Sequence, residues 1–224
     1  MKHLLIFSIY IIFFIFLDNY SFAQNQKNNQ TTNLKPSWEL HPKKDYLVSI
    51  KTNFGEIVIY LYDQTPIHKA NFLNLCQNGF YDGTTFHRVL EGFVIQGGDP
   101  NTKNGADSTK IGYGSFGEDL QGEFFENLKH DRGAVAAARK DDALNPERCS
   151  SSSQFYIVQA KDGAHHLDGS YTVFGKVIKG MEVVDEIASQ EVGKYGKPIT
   201  PIHMTVKCTL MKKKEIKKQY GEIF

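Results

Sequence analysis

The chain has 224 residues, 41% hydrophobic and 23% charged, the balance of an ordinary globular protein with one large domain or two small ones. Lys and Arg total 26 against 25 Asp and Glu, so a formal net charge of +1 offers no general attraction to nucleic acid or to an anionic membrane. Low Pro content excludes collagen-like and Pro-rich classes, and Cys76, Cys149 and Cys208 form neither a CxxC nor an even framework, which argues against a disulfide-stapled mini-protein or a zinc ribbon.

Residues 1–23 read as a signal peptide. Lys2 supplies the positive start, Leu4 to Leu17 is an apolar run broken only by Ser8, and Ser21-Phe22-Ala23 sets small residues for cleavage before Gln24. The run is shorter than the roughly 20 residues of a spanning helix, and Asp18 and Asn19 end it, so no stable membrane insertion is expected after cleavage. The mature chain is therefore expected to be exported, either periplasmic or secreted. Residues 24–42 begin as an Asn- and Gln-rich tract with too little apolar surface to offset its ordering entropy, and are expected to form a flexible polar linker. Despite an oxidising destination, Cys76 and Cys208 read as buried apolar residues without evident pairing, and Cys149 as a loop thiol.

From Tyr46 to Tyr62, alternation around Val48 and Ile50, a turn at Asn53-Phe54-Gly55 and the run EIVIYLY predict a hairpin. Thr65 is placed to cap a helix with Pro66 at its first position; Phe72, Leu75 and Cys76 share one face, and Gly79 ends it. Strands are predicted at 84–88, 93–97, 133–138, 154–159, 171–177 and 201–209, and a second helix at 180–189 with Met181, Val184 and Ala188 on one face. Eight strands with helices after the second and seventh do not alternate as βαβ. The expected class is all-β with capping helices: a closed eight-stranded antiparallel barrel with two α-helices over residues 43–211. Residues 98–130 read as surface loops able to carry function, and residues 212–224 as a basic, solvated, frayed tail.

The densest unusual stretch is Tyr81 to Gly98, which sets Arg88 and Gln96 among Phe86, Val89, Phe93 and Val94. A guanidinium beside apolar residues cannot shed its charge, so it needs a partner or a ligand carbonyl. The residues alone leave a structural Arg and a ligand-binding Arg equally open.

At this stretch the chain resembles the cyclophilin-type peptidyl-prolyl cis-trans isomerases. Phe86-His87-Arg88 and Gly92-Phe93-Val94-Ile95-Gln96-Gly97-Gly98-Asp99 follow the family signature, and Ser153-Gln154-Phe155-Tyr156, Leu167-Asp168-Gly169 and Val173-Phe174-Gly175-Lys176-Val177 follow in order. The resemblance spans roughly residues 45–210. It implies a barrel closed by two helices, no metal or cofactor, and Pro-containing polypeptides as substrates. It assigns Arg88 to catalysis, and Phe93, Val94, Tyr156 and Leu167 to the proline pocket. Gln96 would contact the substrate backbone, Ala138 and Arg139 would pair an extended peptide, Gln154 would lie beside that groove, and Gly105 would stand at the rim of a neighbouring specificity pocket.

Three departures from the family matter. His166 replaces a tryptophan that hydrogen-bonds cyclosporin in many eukaryotic members, which implies reduced sensitivity to that drug. Tyr171 replaces a pocket histidine, and Tyr156 a phenylalanine. Residues 139–152 form a longer, charged loop beside the groove, either tuning substrate choice or neutral. His166 and the loop resemble exported bacterial members.

Other signals are weaker. Gly112 to Gly117 fits GxGxxG, but no apolar strand precedes it and no helix is predicted after it, so it reads as a glycine-rich loop. His165, His166 and His87 lack metal-site spacing, and His87 reads as structural. A monomer is expected. Two rival readings stay open: a non-catalytic module that holds Pro-containing chains, and a chaperone whose linker or basic tail recruits a partner.

Overall fold

A computed structural model describes residues 42–221, so the signal peptide and nearly all of the linker lie outside the described residues. The eight strands are β1 Lys44–Thr52, β2 Gly55–Leu61, β3 Phe86–Leu90, β4 Val94–Gly97, β5 Ala134–Ala137, β6 Phe155–Val158, β7 Val173–Lys179 and β8 Thr205–Lys212. They form one antiparallel sheet in the order β3-β4-β6-β5-β7-β2-β1-β8.

The expected closed barrel is therefore a strongly curled sheet with a thin seam. Its two edges meet at one bridge, Thr85–His203, flanked by Phe86 N–H to Ile202 C=O at 3.0 Å and Met204 N–H to Thr84 C=O at 2.9 Å. The ladder does not run on, because Pro201 has no N–H to donate and β8 turns away to pair with β1.

Helix α1, Pro66–Gln77, covers the core as its apolar spacing predicts, with Phe72, Leu73, Leu75 and Cys76 buried. Phe72 stacks on Tyr81 at 4.7 Å and meets Phe155 and Phe174 edge-on or tilted at 5.4 and 5.7 Å. Gly79 adopts φ +66° and ends the helix, donating to Cys76 C=O while Phe80 N–H donates to Leu75 C=O. That is the paired 5→2 and 6→1 pattern of a left-handed helix stop.

The N-terminus differs from expectation. Thr65 stands at the cap position, but its hydroxyl donates to Tyr62 C=O at 3.3 Å. The free N–H groups of Ile67 and His68 instead donate to the Glu123 carboxylate at 3.1 and 3.0 Å. His68 and these amides hold the Glu123 carboxyl below its ordinary range against the opposing effect of burial. A carboxylate at the positive end of a helix thus ties the 98–130 loop region to α1.

Helix α2, Met181–Ala188, buries Val183, Val184, Ile187 and Ala188, leaving Met181 at the edge of the predicted face. Cys76 on α1 and Cys208 on β8 are free cysteines; Cys76 is buried as expected, whereas Cys208 is only half-buried because it lies on the edge strand β8.

The basic tail is corrected most. A third helix, α3, spans Lys213–Tyr220, against the expected two helices and a frayed extension. Its Ile216 is 0% exposed, packed with Leu47, Val58 and Tyr60. Tyr220 packs against the same cluster, and Lys213 at the start of the helix lies 3.9 Å from Asp45 and 3.5 Å from Asp63. Replacing Ile216 with Ala is expected to cost about 2–4 kcal/mol, read as a lower urea midpoint; an unchanged midpoint would mean that this buried side chain contributes nothing.

Candidate active site

The central strands of the sheet are apolar on both faces, because each face has something to cover it. Ile95, Val135, Phe155 and Ile157 are buried with Phe86 on one side. Val94, Ala134, Ala136, Tyr156, Val158 and Val173 are buried on the other, beneath Phe93, Leu128, Leu167 and Tyr171. The alanines along β5 keep this second face low and leave room above it for a ring-sized group.

A bulge in β3 aims Arg88 at this second face. Phe86 pairs with Gly97 and Arg88 with Gln96, so two residues of β3 advance while β4 advances by one. Side chains two apart then point to opposite sides, Phe86 into the core and Arg88 with Gln96 toward the cleft. Buried His87 fills the extra position, and burial holds its ring below the ordinary imidazole range.

The resulting cavity, about 870 Å³, brings together Arg88, Phe93, Val94, Gln96, Ala138, Arg139, Tyr156, Leu167 and Tyr171. These are nine of the twelve site residues expected from the sequence. The other three do not line it. Gln154 is buried behind Gln96, accepting from its amide at 2.9 Å. His166 is exposed at the rim, stacked on Phe93 at 5.5 Å. Gly105 lies in an exposed turn with φ +82°, and the wall nearby is built by Ser108, Thr109, Ile111, Gly112 and Tyr113. Lys194, Tyr195 and Lys197 form a further rim that the sequence did not reveal.

The two arginines are in different states. The Arg139 guanidinium is spent: it pairs with Asp142 at 2.6 Å, donates to Ser170 C=O at 2.8 Å and covers the Tyr171 ring at 4.4 Å. It thereby pins the start of the 139–152 loop to the pocket wall. Arg88 is half-buried, forms no ion pair among the described residues, and donates only a long 3.4 Å hydrogen bond to Gln96 Oε1. Gln96 is braced in turn by Gln154, whose amide donates to Gly112 and Gly114 C=O at 3.1 and 2.7 Å. Arg88 thus faces the cleft with most of its donors unused.

Main-chain groups on the same side divide between Ala138 and Arg139. Ala138 N–H and C=O are already bonded, to Gln154 C=O at 3.0 Å and Ser151 N–H at 2.8 Å, so Ala138 offers a peptide only its surface. The N–H and C=O of Arg139 have no partner among the described residues and remain available to an extended chain.

The polar tip of Tyr156 does not enter the pocket. Its hydroxyl lies 3.0 Å from His130 Nε2, and His130 Nδ1 lies 2.8 Å from Asp168 Oδ1. His130 is fully buried, and burial outweighs Asp168 to hold its ring below the ordinary range. A neutral ring then donates from Nδ1 to Asp168 and accepts from the Tyr156 hydroxyl, an assignment made from the network. The pocket floor is accordingly apolar although the residue is a tyrosine.

His87 and His130 set a pH expectation. Both bind protons more weakly folded than unfolded, so the unfolded chain takes up more protons as pH falls below about 6.5. Stability should be level above that pH and decline below it, each group adding at most about 1.4 kcal/mol per pH unit. Carboxylates held low, such as Asp168 and Glu123, add their loss only at more acid pH. Urea midpoints across pH 5–7 check this, and a flat profile would refute it.

Residues 47–209 match the profile of the cyclophilin type peptidyl-prolyl cis-trans isomerase/CLD family. A peptidyl-prolyl cis-trans isomerase of Arabidopsis thaliana is 40% identical over 159 residues, 70% of this chain and 91% of that one. One of Acinetobacter baylyi is 41% identical over 162 residues, 70% of this chain and 79% of that one. A crystal structure of a Cryptosporidium parvum cyclophilin type isomerase superposes with a TM-score of 0.63 at 32% identity, covering 74% of this chain and 97% of that one; another was determined in the presence of the dipeptide Ala-Pro. With the curled antiparallel sheet and an arginine facing an apolar cleft, these similarities place the chain in the cyclophilin family of peptidyl-prolyl cis-trans isomerases.

Proposed function

We propose that this isomerase accelerates Xaa-Pro rotation in exported chains as they fold, with Arg88 as its catalytic residue. The observation that carries the catalytic role is the unpaired Arg88 guanidinium beside an apolar pocket of ring size. An amide rotates over a barrier of about 18–20 kcal/mol because resonance shares the nitrogen lone pair with the carbonyl. In the twisted state that lone pair returns to the prolyl nitrogen, which becomes pyramidal and basic. A fixed donor aimed there stabilises the twisted state more than either planar state, and this difference alone raises the rate.

The other residues hold the substrate. Phe93, Val94, Tyr156 and Leu167 take the proline ring, Gln96 orients both Arg88 and the peptide backbone, and Arg139 pairs the chain through its free N–H and C=O. Holding the ring fixed while the acyl side rotates needs no nucleophile and no proton transfer, which suits a pocket floor where the Tyr156 hydroxyl is engaged by buried His130.

The exported setting is supported by the charged start, apolar run and small-residue cleavage pattern of residues 1–23. Expression in the native host, fractionation and N-terminal sequencing test it. The expected product starts at Gln24 in the periplasm or medium; a cytosolic chain that retains Met1 would refute export and leave the catalytic role untouched.

A further inference from the structure

The cleft runs past the proline pocket to a rim on residues 191–199. This segment is a small hairpin, with a Val192–Pro198 bridge, Gly193 N–H donating to Lys197 C=O at 2.8 Å and Ile199 N–H to Glu191 C=O at 2.9 Å. Its tip is the turn Lys194–Gly196. Gly196 is buried with φ +76°, and a Cβ there would come within 2.8 Å of Leu90 Cδ2 and of Val89 C=O. Only glycine lets the tip lie this close to β3, the strand that carries Arg88. Tyr195 holds φ +62° and ψ +20°, a conformation rare for a bulky residue and often kept at ligand sites. The backbone of the rim is therefore fixed in place beside β3, and it holds the exposed side chains of Lys194, Tyr195 and Lys197 at the mouth of the cleft.

Its charge is one-sided. Arg88, Arg139, Lys194 and Lys197 line the cavity, and no Asp or Glu does. Arg139 is neutralised by Asp142, while Arg88, Lys194 and Lys197 form no ion pair among the described residues. Lys194 Nζ rests 4.9 Å from the Tyr195 ring. Buried Asp99 does not line the cavity, and its carboxylate accepts from the N–H groups of Asn101, Gly112 and Gly114. The whole chain carries only +1, so this excess is local to the cleft. A cleft of one sign between low-dielectric walls concentrates its field and draws in the opposite charge.

We propose that Lys194 and Lys197 make this enzyme select proline-containing chains that carry an Asp or Glu within a residue or two of the proline. The proposal rests on the cavity being the substrate groove and names the substrate class that groove prefers.

The test uses matched capped peptides with Glu, Gln or Lys on either side of proline. Exchange NMR gives the catalysed rate, and titration of protein amide shifts gives Kd. At about 20 mM salt the Glu peptide should be favoured over Gln about three- to tenfold at one of the two positions, and Lys disfavoured. The ratio should fall toward one at about 500 mM salt, where the Debye length is only a few ångströms. The charge reversal K194E/K197E should invert it, making the Lys peptide preferred. A Glu-to-Gln ratio near one at both positions in low salt, or a preference that survives the reversal, would overturn the proposal. If no peptide is accelerated, the catalytic role of Arg88 fails, yet the Kd ratios still decide the acidic preference.

Discussion

Replacing Arg88 with Ala is expected to lower kcat/KM for Xaa-Pro isomerisation about a hundred- to a thousandfold, the usual cost of removing one donor aimed at developing charge. Most of the loss should fall on kcat, because the donor's target, the prolyl lone pair, exists only in the twisted state. The peptide should still bind, since Phe93, Val94, Tyr156 and Leu167 are untouched. Folding should also survive: Arg88 is half-buried and gives up only a 3.4 Å hydrogen bond to Gln96. Arg88→Lys should restore little, because an ammonium on a flexible stem does not reproduce the planar, braced fork. Line-shape analysis of a saturating peptide separates the two parameters. A loss confined to KM would mean that Arg88 merely holds the substrate.

Replacing Asp45 with Ala should have the largest effect on stability, about 3–5 kcal/mol. Lys69 on α1 is 0% exposed, and its ammonium donates to Asp45 Oδ1 at 2.8 Å, Asp63 Oδ1 at 2.5 Å and Leu61 C=O at 3.2 Å. Asp45 is 1% exposed, accepts from the Tyr60 hydroxyl at 2.8 Å and lies 3.9 Å from Lys213 Nζ at the start of α3. One carboxylate therefore joins β1, β2, α1 and α3. Removing it leaves a buried ammonium with a weaker, more hydrated partner in Asp63, which is 51% exposed. Asp63→Ala should cost no more than about 1 kcal/mol, as for other surface-facing pairs. Equal shifts in the urea midpoint for the two variants would contradict this account.

Lys69 also marks where reading the sequence stopped. It sits three residues before Phe72, on the face that Phe72, Leu75 and Cys76 already define, so a lysine on the apolar side of α1 could be found from spacing alone. Its partner could not, because Asp45 arrives through the pairing of β1, 24 residues earlier in the chain. Glu123 at the head of α1 is the same case: Thr65 has the local signature of a cap, but the carboxylate that does the capping comes from 55 residues away.

The strands were legible where alternation or β-branched runs were strong, as in the β1–β2 hairpin. The seam at Thr85–His203 was not, because a single bridge leaves no periodic trace. In the site, the Arg88–Gln96 pair stood out as polar residues in an apolar run, yet the bulge that turns Arg88 outward is set by register. Gly105 was expected from its place in the family pattern, whereas the observed wall is held by Asp99 bonding to loop amides further along. Lys194 and Lys197 carried no signal because they resemble any exposed lysines until the hairpin sets them beside Arg88. Ile216 was hidden by the lysines around it.

The most direct measurement is two-dimensional exchange NMR on a short Xaa-Pro peptide with a catalytic amount of the mature protein. Uncatalysed exchange takes tens to hundreds of seconds. Cross-peaks between cis and trans resonances should appear within a mixing time of under about a second with the native protein, and vanish again with Arg88→Ala. Exchange at the buffer rate while the peptide lines broaden would show a groove that binds proline without turning it, and would contradict the role given to Arg88.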